Sequence, residues 1–426
     1  MQAIGIDLGT TSICGVVLDT KSGKVLKSKT VNSDAFIETD KSWEKIQSPE
    51  KIISIAEEIL MEFITEDTAV IGVTGQMHGI VYTDKNGVAV SPLYTWQDSR
   101  GNLPYKDSTY AEYLKSNSGY GNVTDFYNKI NGEIPFEAEN YCTIHDYLVM
   151  HLCGLKKAQI HISDAASFGC FDLKTKQFSY ECDIEPVTDF RIAGEYNGIP
   201  VSVAIGDNQA SVFSSLANED EILINMGTGS QISVISDHII EKNGIETRPY
   251  FDNKYLIVGA ALCGGRAFAV LKDFYKSFLS LAMECDDKRV YSIMDKLLEE
   301  GKGESLLVDT RFSGTRADKC IRGSISGIST ENFTPYALTS GVLEGMITEL
   351  YEMYLEMGVE RKGIVGSGNG IRKNKKLAKI AENKFLSELK IPAHTEEAAY
   401  GAALFGMISA GIFKDSASAK KLISYI

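Results

Sequence analysis

The stretch QAIGIDLGTTSICGVVLD, residues 2–19, decides how the chain is read. Two apolar, β-branched runs flank the small-residue turn Gly9-Thr10-Thr11, so the stretch reads as two strands joined by a tight connection. TKSGKVL, residues 20–26, supplies a second turn and the start of another strand, which makes a meander of antiparallel strands. Ser48-Pro49 then opens SPEKIISIAEEILMEFI, with apolar residues at helical spacing, and TAVIGVTG, residues 68–75, reads as a buried strand ending in a glycine turn. Strands, then helix, then strand predict an α/β layer and not an all-β barrel.

The same turn is written again as INMGTGS, residues 224–230. Sliding the chain by 218 positions sets Asn225 under Asp7 and aligns Ile4/Ile222, Ile6/Ile224, Gly9/Gly227, Thr10/Thr228, Ser12/Ser230, Val16/Val234 and Asp19/Asp237. Convergence of two β-branched hairpins is the plain alternative. Because the identities continue into both strands, a duplicated domain is favoured. The 426 residues, 44% of them hydrophobic, exceed what one core ordinarily holds. Two domains are therefore expected, residues 1–200 and 201–426, meeting near NGIPVSV and facing a central cleft, where ligands are usually bound.

The formal net charge of -14 creates a field that repels phosphate backbones, which speaks against nucleic-acid and anionic-membrane partners. The basic run RKNKK, residues 372–376, reads as a solvated helix start. The eight cysteines form no Cys-x-x-Cys pair, and His145 and His151 lack the helical spacing and third ligand of a zinc site. Asp7 interrupts any apolar leader, and no run approaches the roughly 20 apolar residues of a membrane span. A soluble, cytoplasmic protein with reduced thiols is expected, and a homodimer is compatible with this.

A small-residue turn exposes backbone N–H groups and hydroxyls, a good cradle for an anion. Asp7 beside Gly9, Thr10 and Thr11 makes sense near phosphate only with a cation between, for which magnesium is the natural choice. At the second turn the neutral Asn225 removes that repulsion. VSVAIGDNQAS, residues 201–211, is a strand breaking into a helix at Asp207. That aspartate reads equally as an N-cap or as a general base at a strand end.

Together IDLGTTS, GQMHG, TWQDSR, SDAASFGCFDL, GDNQAS, NMGTGSQ, GSGNGIRKN and EEAAYGAAL, in this order, resemble the FGGY family of carbohydrate kinases. The resemblance implies two actin/hexokinase-like (ribonuclease H-like) α/β domains, with ATP and Mg2+ as cofactors and a ketose as substrate. It implies that Asp7 and Asp207 lie at the metal, with Asp207 as the base that activates the sugar hydroxyl. Gly9, Thr10, Thr11, Gly227, Thr228, Gly265, Gly366, Gly368, Asn369 and Arg372 would line the nucleotide site. The sugar would meet Gln76, Met77, His78, Trp96, Asp98, Arg100 and Asn208. Such groups suit a polyol, pairing with hydroxyls and covering the C–H face with an indole. Alone, Trp96 would read as core and His78 as a structural histidine.

GQMHG is similar to the ketose-using branch, as in xylulokinases, and LYTWQDSR with GSGNGIRKN resembles sedoheptulokinases, so phosphorylation of sedoheptulose is the expectation. Residues 102–136 depart from that pattern, being short and lacking the lysine-leucine-tryptophan helix signature of xylulokinases. A non-catalytic sugar or nucleotide sensor and a chaperone-like ATPase are the rival readings. Retention of both Asp7 and Asp207 argues against the first, and the sugar motifs argue against the second.

Overall fold

The computed structural model describes residues 1–227, 229–315 and 318–426. The chain divides into two compact units: residues 1–217 with 248–254 and 396–424, and residues 218–247 with 255–395 and 425–426.

In the first unit β1 (Gln2–Leu8), β2 (Ser12–Asp19) and β3 (Val25–Asn32) form the expected meander. Ser48 caps α1 (Pro49–Phe63), its hydroxyl accepting from Lys51 N at 3.2 Å, with proline in the first turn. The apolar spacing of α1 buries Ile52, Ala56, Ile59, Leu60 and Phe63 against the sheet, each of the larger side chains contributing about 1.5–3 kcal/mol. β4 (Thr68–Gly75) then enters parallel to β1 and is buried from Val70 to Gly75. There follow α2 (Gly121–Asn131), α3 (Ile144–Cys153), α4 (Ile162–Ser167), β5 (Ile192–Tyr196), β6 (Ile199–Ser202), β7 (Ile205–Gly206) and α5 (Asp207–Ser215). The sheet order is β5-β6-β4-β1-β2-β3, with β7 pairing the end of β4.

The second unit holds β8 (Glu221–Met226), β9 (Ser230–Ser236), β10 (Ile245–Pro249, whose last two residues count with the first unit), β11 (Tyr255–Ala261), α6 (Gly264–Leu279), α7 (Pro335–Met357), β12 (Gly363–Ser367), α8 (Asn369–Lys373) and β13 (Leu389–Lys390). Its sheet runs β10-β11-β9-β8-β12-β13. The plan repeats that of the first. β8 is antiparallel to β9 and parallel to β12, as β1 is to β2 and β4.

The repeat is not uniform along its length. Leu8 pairs Ile13 across the first turn, but Met226 pairs Ser230 across the second, which is one residue shorter. A one-residue slip moves every side chain to the opposite face. The constant shift of 218 therefore holds only on the first strand, and the identities Ser12/Ser230, Val16/Val234 and Asp19/Asp237 fall out of structural register.

Residues 201–217, read from sequence as part of the second domain, pack in the first unit, because β6 and β7 pair with β4 and α5 lies on a helix that returns from the end of the chain. That helix is α9 (Glu397–Ser409), which also packs on β1 and β4. Two glycines admit it: a Cβ on Gly5 would stand 1.8 Å from Ala399 O, and one on Gly72 would stand 1.9 Å from Ala402 O. Among the described residues, no helix is long and apolar enough to cross a membrane.

Candidate active site

The first unit gathers its chemistry where three strands end. Asp7 pairs with Thr74, and Leu8 and Gly206 both pair with Gly75, so Asp7 and the peptide leading into Asp207 flank the end of β4. Asp207 is the first helical residue of α5, with Gly206 in the cap position. It therefore does not serve as the N-cap. Asp7 Oδ1 is buried with no hydrogen-bond partner. Burial, aided by the negative charge of Asp207 and opposed by His145, pushes the Asp7 pKa up to about 7. Burial likewise lifts Asp207 to about 6 against the pull of His145 and Arg248. Two carboxylates that resist ionisation beside one another are suited to proton transfer near neutrality or to sharing a cation.

The loop after β4 lies next to them. Gln76 N donates to Leu8 O at 2.9 Å, and its amide joins a ring of side chains. Gln76 Nε2 donates to Gln47 Oε1 at 2.9 Å, Gln47 Nε2 to Thr10 O at 2.7 Å, and Thr10 Oγ1 to Gln76 Oε1 at 3.3 Å. Trp96 is not core: it is 46% exposed. His78 adopts a left-handed backbone at φ 74 and stacks on Tyr120, ring centroids 4.2 Å apart. Asn208 Oδ1 accepts from Arg248 at 3.1 Å. Gly9 and Thr10 are partly buried in the first turn and Thr11 is exposed.

Three expected sugar contacts are placed differently. Met77 is buried, its Cε 2.7 Å from where a Cβ on Gly206 would stand. Arg100 is 0% exposed, its guanidinium bonded to both oxygens of the buried Asp98, to Asn128 and to Glu44, and lying over the Tyr94 ring at 4.3 Å. A guanidinium and a carboxylate spent on one another present no face to a sugar, so the pair is a buried ion pair that holds the segment following Trp96. That corrects the expectation of direct contact.

In the second unit the expected nucleotide residues converge around the second turn. Gly265 N donates to Gly227 O at 3.2 Å. Gly368 has φ +82, and a Cβ there would meet Met226 O at 2.7 Å, so only glycine fits beside the strand leading into that turn. Asn369, exposed, opens α8 directly after it. Asn225, the counterpart of Asp7, donates to Ser367 Oγ at 2.8 Å. Gly366 is buried under Ile371 and packs without lining. Arg372 is no solvated charge: its guanidinium donates to the carbonyls of Pro392 and His394 at 2.8 and 2.6 Å. Thr228 lies outside the described residues.

Sequence reasoning missed several neighbours. His145, set aside for want of zinc spacing, is buried beside Gly75 and pairs with Asp164 at 3.0 Å, while Asp146 completes a group whose ligand atoms lie within 4.8 Å of one another. Arg248 arrives from a segment with no motif, Gln47 from the two-residue strand Ile46–Gln47, and Tyr120 from the cap position of α2. None of these carries a signal in spacing, because each reaches the site through tertiary packing.

Two family models match the chain: the N-terminal domain of the FGGY family of carbohydrate kinases over residues 2–184, and its C-terminal domain over 222–410. The chain is 28% identical to a human sedoheptulokinase, covering 94% of this chain and 96% of that protein. It is 25% identical to a xylulose kinase of Staphylococcus xylosus, covering 94% and 89%. In fold it matches a xylulose kinase from Brucella ovis with a TM-score of 0.83 at 20% identity, over 99% of this chain and 92% of that one. Two α/β units of repeated plan, paired carboxylates at a strand end and models spanning both halves lead to one conclusion: the chain belongs to the FGGY family of carbohydrate kinases, phosphotransferases that act on an alcohol group.

Proposed function

We propose that the protein transfers the γ-phosphoryl group of ATP to the terminal primary hydroxyl of a ketose, with sedoheptulose as substrate and sedoheptulose 7-phosphate as product. The observation that carries this reading is the convergence of Asp7, Asp207 and the Gln76–His78 loop around the end of β4. The choice of sedoheptulose draws on the 28% identity to sedoheptulokinases from human and mouse.

Asp207 accepts the hydroxyl proton as the sugar oxygen bonds to the γ-phosphorus, and the bond from phosphorus to the β–γ bridging oxygen breaks to release ADP. Gln76, His78 and Asn208 orient the sugar hydroxyls, and Trp96 covers the C–H face. Asp98 and Arg100 hold the loop that carries the indole. Gly227, Thr228, Gly265, Gly368 and Asn369 hold the nucleotide, with Gly366 and Arg372 shaping the segment behind them.

The carboxylates also fit Mg2+. Asp7 Oδ1 is buried without a partner, and both acids carry raised pKa values that a cation would relieve. Magnesium would be held by Asp7 with Asp207 beside it, and it would supply charge neutralisation of the phosphates. The eight cysteines are all free thiols, in keeping with a cytoplasmic enzyme; light scattering decides whether it is a homodimer.

The test is an ADP-release assay over ketoses of five to seven carbons. Sedoheptulose is expected to give the highest kcat/KM. A higher value for xylulose or ribulose would replace the substrate, and no stimulation by any sugar would replace the kinase reading with that of a sensor.

A further inference from the structure

The SDAAS run, residues 163–167, is left without a role by the proposed chemistry, yet it touches the candidate site at two points. Ser163 Oγ accepts the backbone N–H of Gly206, the residue immediately before Asp207, at 3.1 Å. At the other end of α4, Ser167 Oγ accepts the backbone N–H of His78 at 3.1 Å, and the Ser167 carbonyl lies 2.8 Å from His78 Nδ1. A carbonyl can only accept, so Nδ1 carries the proton and the tautomer of His78 is set by α4. The left-handed backbone of His78 is costly for a residue with a side chain and persists only where its surroundings hold it. Ser167 and the ring of Tyr120 help to hold it.

The helix is itself anchored from behind. His145 Nε2 lies 3.0 Å from Asp164 Oδ1, and both side chains are fully buried. Burial opposes a charge on that imidazole, but Asp164, with Asp146 and Asp207, keeps its pKa up at about 9. Ser167 Oγ donates to Asp164 O at 2.7 Å, and Ser163 Oγ also bonds His161 Nδ1 at 2.9 Å. Thr74 Oγ1 donates to Ile205 O at 2.6 Å and fixes β7 from its other side. Ser163 and Ser167 stand four residues apart, hence on one face of the helix.

We infer that α4 is a positioning element that sets the separation of His78 from Asp207, with Ser163 holding the peptide before the base, Ser167 holding the histidine, and the His145–Asp164 pair keeping the helix in place. This rests on the proposed sugar-kinase reading, in which His78 orients the ketose and Asp207 takes its proton. Ser163 and Ser167 touch no substrate.

The test uses the full chain with Ser163→Ala, Ser167→Ala and Asp164→Asn, and with Ser163→Thr and Ser167→Thr as rescues. Displacement of a reacting group by about 1 Å costs on the order of a hundredfold. Ser163→Ala is therefore expected to lower kcat about ten- to a hundredfold with little change in ketose KM. Ser167→Ala is expected to raise ketose KM about tenfold with little change in kcat, and Asp164→Asn to do both. Both threonine variants recover most of the loss, and the KM for ATP stays at the parent value. Two results overturn the inference: alanine variants within about twofold of the parent, or losses that follow a falling Tm and are not recovered by threonine. Imidazole 15N spectra judge the brace without turnover. A parent that phosphorylates no ketose defeats the proposed function, whereas the brace stands if the His78 signals show Nδ1 protonated and shift in Ser167→Ala and Asp164→Asn, and falls if they do not.

Discussion

Trp96 Nε1 donates to Thr10 Oγ1 at 2.9 Å, so one hydroxyl joins the exposed indole expected to cover the sugar to the first glycine-threonine turn. The same hydroxyl donates onward to Gln76, so Thr10 links Trp96 to the loop after β4. Trp96→Phe keeps a ring and removes the N–H. A neutral hydrogen bond is worth about 0.5–1.5 kcal/mol, so the ketose KM is expected to rise roughly three- to tenfold. Because the indole is half exposed, Tm should move little, which calorimetry checks.

Asp207 carries the proton in the proposed reaction, and general-base catalysis contributes about 10²–10⁴-fold. Asp207→Asn keeps the shape of the side chain and removes the base. The expected outcome is a fall in kcat of that order with ketose KM nearly unchanged, read by ADP release. A variant turning over near the parent rate would sink the assignment.

Asp7 gives a stability change with a defined sign. Its pKa rises from 3.8 to about 7 on folding, so the folded protein binds this proton more tightly than the unfolded chain does. The resulting cost begins above pH 4, grows until about pH 7 and is fully present beyond it, reaching up to about 4 kcal/mol. Asp7→Asn should therefore stabilise the metal-free protein most above pH 7, with the gain shrinking toward pH 4. Tm measured for parent and variant across pH 4.5–8.5 checks both the sign and the window. A gain that instead grew as pH fell would refute it.

Arg100 is expected to matter for folding and not for sugar affinity. Arg100→Met leaves the carboxylate of Asp98 buried without its guanidinium, a change that costs about 3–5 kcal/mol. Asp98→Asn added to it should recover part of the loss, since the uncompensated charge is then gone. Denaturant unfolding of the single and double variants measures both.

Gly5→Ala tests how the C-terminal helix is seated. The added methyl would stand 1.8 Å from Ala399 O, which is backbone and cannot turn aside. Overpacking costs about 1–3 kcal/mol or more. The variant should show a lowered Tm, while Gly132→Ala, where a Cβ would meet nothing within 4 Å, should lose only what its positive φ demands.

Local pattern carried much of the first unit. The alternating apolar runs around Gly9 to Thr11, the Ser48 cap and the buried run at Thr68–Gly75 each dictate their element through nearest neighbours, and each forms where expected. The repeat was legible up to the turn and misread beyond it, because a one-residue difference in turn length is invisible to a constant shift. Arg100 was misread for another reason: a residue type that suits a sugar equally suits a buried ion pair, and only burial separates them. His145 and Arg248 were illegible because their neighbours at the site are far away in sequence. Asp207 was ambiguous until Gly206 was found in the cap position.

The return of residues 396–424 to the first unit has a consequence for how the chain is made. Gly5 and Gly72 leave the ribosome more than three hundred residues ahead of α9, the helix that their missing side chains admit. Until α9 has been made, the part of the first sheet that it covers must wait exposed. The N-terminal half is thus not an autonomous folding unit in time, and a stalled or shortened chain ending before residue 396 would expose apolar surface to chaperones and proteases whatever the quality of its own sequence.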